Sequence, residues 1–268
     1  MPDAAATWSP AAELAARVAG TRFHDVRRFA VVDSTNRYLL SDAAFSDGVP
    51  TDGVVAVADE QTAGRGRHGR TWSARPGAAL LASVRLRPSL PAERLHLVTL
   101  AGAVAATEAV QEVAGFAPQV KWPNDVVVDD RKLAGILAEA DGAGAVVVGM
   151  GLNLRADAYP EDLAPVATAC DRHASGPVDR DDLLCAWLRA FDSRLDALDG
   201  IVAAAIARSA TLGRVVRVEL ARESFTGTAT RLTGEGYLVV TREDGDETVV
   251  TAGDVVHLRP VTDRPPGS

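Results

Sequence analysis

The stretch QVKWPNDVVVDDRKLAGILAEADGAGAVVVGMGLNL, residues 119–154, decides the fold of this 268-residue chain. Short apolar runs in it are separated by the turn sequences WPND, VDDRK and ADGAGA. Proline, aspartate and glycine are the residues that tight turns between antiparallel strands favour. The stretch therefore predicts a meander of short strands.

Helices and further strands flank this meander on both sides. The apolar patterns predict strands up to Val32, over 53–58 and over 78–86, and helices over 10–20, 92–114 and 201–210. Asp33 or Ser34 is expected to cap one further helix, and Asp179 another. Strands and helices are segregated rather than strictly alternating, which favours an α+β fold over a doubly wound Rossmann sheet.

The composition changes at Gly213, where short β-branched runs alternate with turns rich in glycine and acidic residues. Such a pattern predicts a small SH3-like β-barrel. The expected organisation is a helical extension over 1–22, an α+β domain over 23–210, the small β domain over 211–261 and a loose tail over 262–268.

The composition indicates a folded protein, with 47% hydrophobic residues and a formal net charge of -8. An acidic chain is a poor general binder of polyanions, because such domains neutralise phosphates with a basic excess. Cys170 and Cys185 lack the spacing of a disulfide framework, the N-terminus lacks a signal-peptide pattern, and no run approaches the ~20 apolar residues of a membrane span. A cytoplasmic, soluble protein is expected.

The basic segment GRGRHGR, from Gly64 to Arg70, contrasts with this acidic background. Glycine lets backbone N–H groups approach one anion, and arginine adds a planar, permanently charged donor fork. Trp72 follows and offers a face on which a base can stack. A mobile surface loop is the alternative, and the spacing matches neither a P-loop nor a convincing dinucleotide fingerprint.

Three other segments carry polar groups in notable positions. KWPND (Lys121 to Asp125) reads as a turn that presents its polar side chains. As a regular strand, KLAGILAE places Lys132 on one face with Ala134, Ile136 and Ala138, and Glu139 on the other. GMGLN ends in Asn153 and holds two glycines that permit close approach.

Together these motifs resemble those of the biotin–protein ligases. The resemblance comprises DSTN (33–36), EQTAGRGRHGRTW (60–72), KWPNDV, DRKLAGILAE and GMGLN, in the family's order. It implies a catalytic domain over 23–210 related to class II aminoacyl-tRNA synthetases, with a mixed, largely antiparallel sheet and flanking helices. The family also places a small β domain at the C-terminus.

The resemblance implies a two-step ligation. Biotin and Mg-ATP give biotinyl-5′-adenylate and pyrophosphate, and the biotinyl group then passes to a lysine of a biotin carboxyl carrier domain. That carrier belongs to an acetyl-CoA or acyl-CoA carboxylase, or to pyruvate carboxylase. ATP and biotin are thus substrates, with Mg²⁺ as the accompanying ion; the scattered histidines suggest no metal site built by the protein itself.

The resemblance also assigns roles to individual positions. Lys132, Arg67 and Asp125 are the expected catalytic residues, with Asp125 acting either on the acceptor lysine or on metal and phosphate. The expected biotin-binding residues are Ser34, Thr35, Asn36, Gln61, Gly64, Arg65, Gly66, Arg67 and Lys132. Those expected to bind the nucleotide are Arg67, Arg70, Trp72, Asn124, Lys132 and Asn153.

Two alternatives remain open from the sequence. One is a lipoate–protein ligase or acyl transferase of the same superfamily, and the other is a non-catalytic regulator that binds nucleotide or DNA. The segment before Asp33 is too short for the winged-helix domain of some relatives, so a ligase without specific DNA binding is expected. No membrane association is expected, and a homodimer through a sheet edge is possible.

Overall fold

Two β-sheets organise the chain in this computed structural model, which describes residues 9–41, 45, 52–220, 223–251 and 254–257. The larger sheet has the strand order β1-β2-β3-β7-β6-β5-β4. β1 pairs with β2 in parallel and every other neighbouring pair is antiparallel, so the predicted meander and mixed sheet are confirmed. The strands are β1 (Asp25–Val32), β2 (Val54–Gln61), β3 (Ala79–Leu86), β4 (Gln119–Lys121), β5 (Asp125–Val128), β6 (Arg131–Ala140) and β7 (Val146–Asn153).

Helices cover both faces of this sheet unequally. α2 lies on one face, and the other four helices lie on the opposite face or beside it. Alternation along β2 shows the division, because Val54 and Ala56 pack with Leu39 of α2 while Val55 and Val57 join the large helix-side core. The helices are α1 (Ala11–Arg17), α2 (Thr35–Leu40), α3 (His96–Ala114), α4 (Arg180–Asp196) and α5 (Ile201–Ala207).

The helix boundaries follow from their caps. The Asp179 carboxylate accepts hydrogen bonds from the backbone N–H groups of Asp181 and Asp182, both at 2.9 Å, which fixes the start of α4. α3 ends at Gly115, whose φ of 77° places it in the left-handed region that suits glycine. Both boundaries agree with the sequence prediction.

α3 corrects one expectation, because its 19 residues are apolar enough to cross a membrane by length and composition. α3 is this apolar because it lies in the centre of the helix layer, where it contacts α4, α5 and the sheet. Its most apolar window is 72% buried within the protein, as in the core helix of a globular domain. Length and hydropathy alone are weak evidence for a membrane span.

The smaller sheet is antiparallel throughout, with the order β11-β10-β9-β8-β12. Trp122 of the KWPND turn inserts into its core, and its Nε1 donates to the carbonyl oxygen of Gly236 at 3.0 Å. The turn is therefore fixed to both sheets. The strands are β8 (Val215–Glu219), β9 (Ser224–Leu232), β10 (Leu238–Thr241), β11 (Glu247–Val250) and β12 (Asp254–His257); residues 1–8 and the expected tail over 262–268 lie outside the described residues.

Candidate active site

The DSTN motif buries three short polar side chains at the start of α2. The Ser34 hydroxyl accepts a hydrogen bond from the backbone N–H of Arg37, so serine rather than Asp33 caps the helix. Ser34, Thr35 and Asn36 are only 2%, 3% and 4% exposed, although their neighbours in the sheet are largely apolar. Buried polar groups of this kind are hydrogen-bonded, and their partners define the site.

A relay of hydrogen bonds connects these side chains. Gln61 Oε1 accepts from the backbone N–H of Thr35 at 2.8 Å and from its hydroxyl at 3.1 Å. The Thr35 and Ser83 hydroxyl oxygens lie 2.6 Å apart, and the Ser83 hydroxyl donates to Asn36 Oδ1 at 2.6 Å. Gly149 of β7 makes room for this relay, since a Cβ there would lie 2.2 Å from Asn36 Oδ1.

The glycine loop, residues 64–70, is folded back on itself. The N–H of Gly66 donates to the Arg70 carbonyl at 2.6 Å, and the N–H of Trp72 donates to the Gly64 carbonyl at 3.1 Å. Gly64 is required by close approach, because a Cβ there would lie 2.2 Å from the Trp72 carbonyl oxygen. Gly64 thus contributes to the site through its backbone, which holds the loop closed against Trp72.

Two arginines of the glycine loop reach across to the sheet. Arg65 Nη2 lies 2.9 Å from Glu139 Oε1, and Arg67 Nη1 donates to Asn124 Oδ1 at 3.0 Å. Asn124 in turn donates its amide to the Ile136 carbonyl at 2.9 Å. The loop therefore contacts both β6 and the KWPND turn.

Trp72 lies on a floor made of glycine. A Cβ on Gly151 would lie 2.4 Å from Cε2 of the indole, and one on Gly135 would lie 3.4 Å from Cζ3. The indole can occupy this position because Gly151 lacks a side chain, whereas a Cβ on Gly135 would only be in van der Waals contact with the ring. The ammonium of Lys132 lies 5.7 Å from the ring centroid, within the range of a cation–π contact.

A β-bulge in β6 corrects the predicted orientation of Lys132. Val126 pairs with Ala134 whereas Val127 pairs with Lys132, so Leu133 is an extra residue. Leu133 and Ala134 both pack in the helix-side core, and Lys132 lies on the opposite, site-facing side with Gly135, Leu137 and Glu139. The expected face shared with Ala134, Ile136 and Ala138 is therefore wrong, because the bulge shifts the alternation by one residue.

Lys132 and Asp125 form the ion pair at the centre of the site. Lys132 Nζ lies 2.7 Å from Asp125 Oδ1, with the two side chains 38% and 23% exposed. The Lys132 backbone is held as well, since its N–H donates to the Val166 carbonyl and its carbonyl accepts from the Thr168 N–H, both at 2.8 Å. The ammonium is thus positioned by contacts on both its side chain and its backbone.

Two adjoining pockets meet at this ion pair, and Thr71, Trp72, Asp125 and Lys132 line both of them. We call one the polar pocket, because hydroxyl, amide and guanidinium groups dominate its lining. It brings together most of the predicted residues: Ser34, Thr35, Asn36, Gln61, Arg65, Gly66, Arg67, Arg70, Trp72, Asn124, Asp125 and Lys132. The structure thus places Arg70 and Asn124 on the polar pocket, and Gly64 behind its wall.

The second, apolar pocket has a cavity volume of about 710 Å³, within the ~300–1,000 Å³ typical of small-molecule sites. Asn153 lies on this pocket, opposite a wall that includes Leu163, Pro165 and Val166. The Asn153 amide donates to the Thr168 carbonyl at 2.9 Å. Among the described residues that the sequence predicted for the site, Asn153 is the one that lines the apolar pocket and not the polar pocket.

Two titratable side chains, His173 and Cys170, lie close to Thr168. The Thr168 hydroxyl lies 2.8 Å from His173 Nε2, and burial together with the charge of Arg131 lowers the pKa of His173. The lowered pKa favours the neutral form of the His173 imidazole. Burial raises the pKa of the Cys170 thiol to about 12, so this cysteine is not a nucleophile.

Sequence reasoning missed Ser83 and the two contacts of Glu139. Ser83 is a fully buried polar residue in the otherwise apolar run ALLASVRL, and that contrast is the signal that identifies it. Glu139 ends the KLAGILAE segment, where an acid in a β-rich stretch is equally visible. Neither signal shows which partner the side chain meets.

Comparisons with known proteins agree with this geometry. Residues 28–154 match the Biotin/lipoate A/B protein ligase family, and residues 211–258 match the Biotin protein ligase C terminal domain. The chain is 39% identical over 251 residues to the biotin–[acetyl-CoA-carboxylase] ligase of Mycobacterium tuberculosis, covering 90% of this chain and 92% of that protein. It is 31% identical over 212 residues to the bifunctional ligase/repressor of Bacillus subtilis, covering 75% of this chain and 65% of that protein.

A solved structure adds a similarity in three dimensions. The biotin protein ligase from Aquifex aeolicus in complex with biotin and ATP matches with a TM-score of 0.77 and 26% identity, over 88% of this chain and 100% of that chain. The resemblance drawn from five short motifs is confirmed. With both domain models matched in the expected order, the chain belongs to the biotin protein ligase family.

Proposed function

We propose that the protein is an ATP-dependent biotin protein ligase that forms biotinyl-5′-adenylate and then transfers the biotinyl group to a carrier lysine. The observation that carries this proposal is the Lys132–Asp125 ion pair at the junction of two pockets of different chemistry. A reaction that joins a carboxylate to a nucleotide needs both substrates to end at one cationic group. Lys132 meets that requirement.

The polar pocket suits the biotin ureido ring, which carries two N–H donors and one carbonyl acceptor. Short hydroxyl and amide side chains fix the orientation of such a group, because each offers few, directional hydrogen bonds. Ser34, Thr35, Asn36 and Gln61 supply them at the inner end of the pocket. The carboxylate end of biotin then extends toward Lys132 and the glycine loop.

The apolar pocket suits the adenosine part of ATP. Trp72 gives it an aromatic wall, and stacking of a base on an aromatic side chain contributes roughly 1–3 kcal/mol. Asn153 provides a polar group at the same pocket for the ribose or a phosphate. Arg67 and Arg70 lie on the polar side of Trp72, where the phosphate chain passes between the pockets.

Adenylation is electrostatic chemistry in this site. The biotin carboxylate attacks the α-phosphorus and pyrophosphate leaves, so two anions approach each other and negative charge gathers on the phosphoryl oxygens. Lys132 and Arg67 stabilise that charge, because both cations line the pocket where the groups meet. Asp125 holds the Lys132 ammonium in place before the substrates bind.

Mg²⁺ is proposed to enter with ATP rather than to reside in the protein. Among the described residues, no group of three or more His, Cys, Asp or Glu side chains comes together to hold a metal ion. Mg²⁺ is commonly bound by one or two carboxylates plus substrate phosphates, and one carboxylate, Asp125, lies at the junction. This donor set fits a nucleotide-borne ion that neutralises phosphate charge.

In the second step the amine of an acceptor lysine attacks the acyl carbon, and AMP leaves. Asp125 serves one of two roles: it orients the incoming acceptor lysine, or it holds the metal and phosphate. The proposed acceptor is the biotin carboxyl carrier domain of an acetyl-CoA or acyl-CoA carboxylase or of pyruvate carboxylase. The first of these is the substrate named for the M. tuberculosis relative.

The same proposal extends to architecture and location. We assign residues 1–22 as an extension, 23–210 as a class II aminoacyl-tRNA synthetase-like catalytic domain, 211–261 as an SH3-like domain and 262–268 as a tail. A cytoplasmic enzyme without membrane association or specific DNA binding, with a homodimer through a sheet edge, completes the proposal. The net charge of -8 supports the absence of operator binding.

The decisive experiment is incubation of the protein with biotin, Mg-ATP and a biotin carboxyl carrier domain, followed by mass measurement of the carrier. We expect one biotinyl addition, abolished when the acceptor lysine is replaced by arginine. Substitution of lipoate for biotin serves as the specificity control. A carrier modified by lipoate but not by biotin would favour the lipoate ligase, and no modification by either would favour the non-catalytic regulator.

The glycine loop should be protected by ligand. We expect trypsin to cleave after Arg65, Arg67 or Arg70 at least ten times more slowly when biotin and ATP are present, because the labile adenylate requires a loop that excludes water. Peptide mass mapping over time measures the rate. Equal cleavage with and without ligands would contradict this role of the loop.

A further inference from the structure

Glu139 bridges the glycine loop and the polar pocket. It lies near the end of β6, opposite Val147 of β7, and its side chain is 19% exposed. Oε1 pairs with Arg65 Nη2 at 2.9 Å, and Oε2 accepts from Asn36 Nδ2 at 2.9 Å. One carboxylate therefore contacts a loop residue with one oxygen and a pocket residue with the other.

The contact to Asn36 sets the direction of the hydrogen bond between Ser83 and Asn36 in the relay. An ionised carboxylate only accepts, so the Asn36 amide must turn its nitrogen toward Glu139. The same nitrogen donates to the Leu137 carbonyl at 3.2 Å, which uses its second N–H. Oδ1 consequently faces Ser83 and accepts its proton. The single Thr35 hydroxyl proton then lies between the Ser83 oxygen at 2.6 Å and Gln61 Oε1 at 3.1 Å.

This polarity limits what Asn36 can offer a ligand. With both amide hydrogens engaged, only the remaining lone pair of Oδ1 is available. Asn36 can therefore accept from a ureido N–H but cannot donate to a ureido carbonyl. If the amide were reversed, a biotin N–H would meet another N–H, and an unmatched buried donor weakens binding considerably.

The contact to Arg65 ties this arrangement to the loop. Arg65 is 42% exposed and is anchored through its guanidinium at Glu139, two residues before Arg67. Opening of the loop would separate this pair and leave the contact of Glu139 to Asn36 in place. The charge of one carboxylate thus favours the closed loop and the correct amide orientation together.

We propose that Glu139 is a positioning residue that couples closure of the glycine loop to the donor and acceptor pattern of the polar pocket. The inference rests on the proposed biotin ligase function and assigns the residue that sets recognition of the ureido ring. Glu139 itself touches neither biotin nor the reacting atoms. It acts through Asn36 on one side and Arg65 on the other.

The test compares Glu139→Gln, Glu139→Asp and Arg65→Gln with the wild type. We expect Glu139→Gln to raise the biotin Kd at least ten-fold in calorimetry without ATP, because a glutamine amide permits the reversed Asn36. Tryptic cleavage of the loop in saturating biotin should rise toward the rate without ligand. The kcat at saturating biotin and ATP should change less than three-fold, and Glu139→Asp should recover part of the affinity.

A matched control is Glu247→Gln, which removes the exposed 2.7 Å pair with Arg231 in the small sheet and should leave both readouts unchanged. Arg65→Gln removes the loop contact and keeps the Glu139–Asn36 contact, so it should raise cleavage after Arg67 and Arg70 with a smaller loss of affinity. It also carries the test if Glu139→Gln does not fold, since Arg65 is well exposed. Combining it with Glu139→Gln should cost less affinity than the two separate losses together.

The outcomes separate this proposal from the proposed function. Wild-type protein that exchanges pyrophosphate into ATP only with biotin establishes the function independently. Glu139→Gln with wild-type biotin affinity and loop protection would then overturn the coupling alone. A loss of melting temperature and kcat at unchanged affinity would assign Glu139 a merely structural role and overturn it equally.

Discussion

Lys132→Ala is expected to lower the rate of biotin-dependent ATP–pyrophosphate exchange by roughly 100- to 1,000-fold, or about 3–4 kcal/mol in the transition state. Among the described residues, Lys132 is the one cation that lines both pockets, and we expect the negative charge of the transferring group to gather there. Lys132→Arg should recover little, because a planar guanidinium does not replace a compact ammonium held by one carboxylate.

The same experiment distinguishes chemistry from folding. Lys132 is 38% exposed, so its truncation should leave the thermal midpoint within a few degrees of the wild type. Arg217→Ala removes a cation of comparable exposure from the small sheet and should preserve exchange. Unchanged exchange in Lys132→Ala would refute the central role of this residue, whatever the behaviour of the control.

Gly151→Ala is expected to have the second largest effect, by displacing Trp72. The new methyl group would lie 2.4 Å from the indole, far inside van der Waals contact, so the ring must leave its position. Loss of a stacking surface that contributes roughly 1–3 kcal/mol should raise the KM for ATP about 5- to 150-fold. Biotin affinity in the absence of ATP should fall much less.

Gly176→Ala provides the matched substitution, since a Cβ there meets nothing within 4 Å. Its kinetics should equal those of the wild type. Steady-state measurement of the KM for ATP, with calorimetric biotin affinity, separates the two pockets. A Gly151→Ala enzyme with an unaltered KM for ATP would show that Trp72 does not contribute to the nucleotide site.

Much of the fold and the site was predictable from local patterns. The turn sequences of residues 119–154 gave the meander, because aspartate, glycine and proline act over a few residues. The predicted cap at Asp179 and the predicted helix end at residue 114 hold for the same reason. The site residues assembled largely as expected because each lies in a contiguous motif, and a short motif needs only local geometry to present its side chains.

The remaining features depend on distant contacts that no local pattern encodes. Burial of Trp122 in the small sheet joins residues far apart in sequence, as does the bond from its indole to Gly236. The position of Trp72 depends on Gly151, a residue of the distant strand β7. The predicted orientation of the Lys132 side chain was also wrong, because the alternation of a regular strand does not apply across a bulge and nothing in KLAGILAE indicates one.

The extra residue Leu133 reverses which face of the sheet each following residue of β6 points to. The pairing with β5 shifts by one residue at this point, because Val127 pairs with Lys132 but Val126 pairs with Ala134. The functional unit in this segment is therefore the lysine, two spacers and the glycine at 135, not an alternating pair. Because residues three apart in a regular strand face opposite sides of a sheet, loss of the bulge at unchanged length would turn the ammonium inward among the helices. Deletion of the extra residue would instead keep the lysine and Gly135 on the same face.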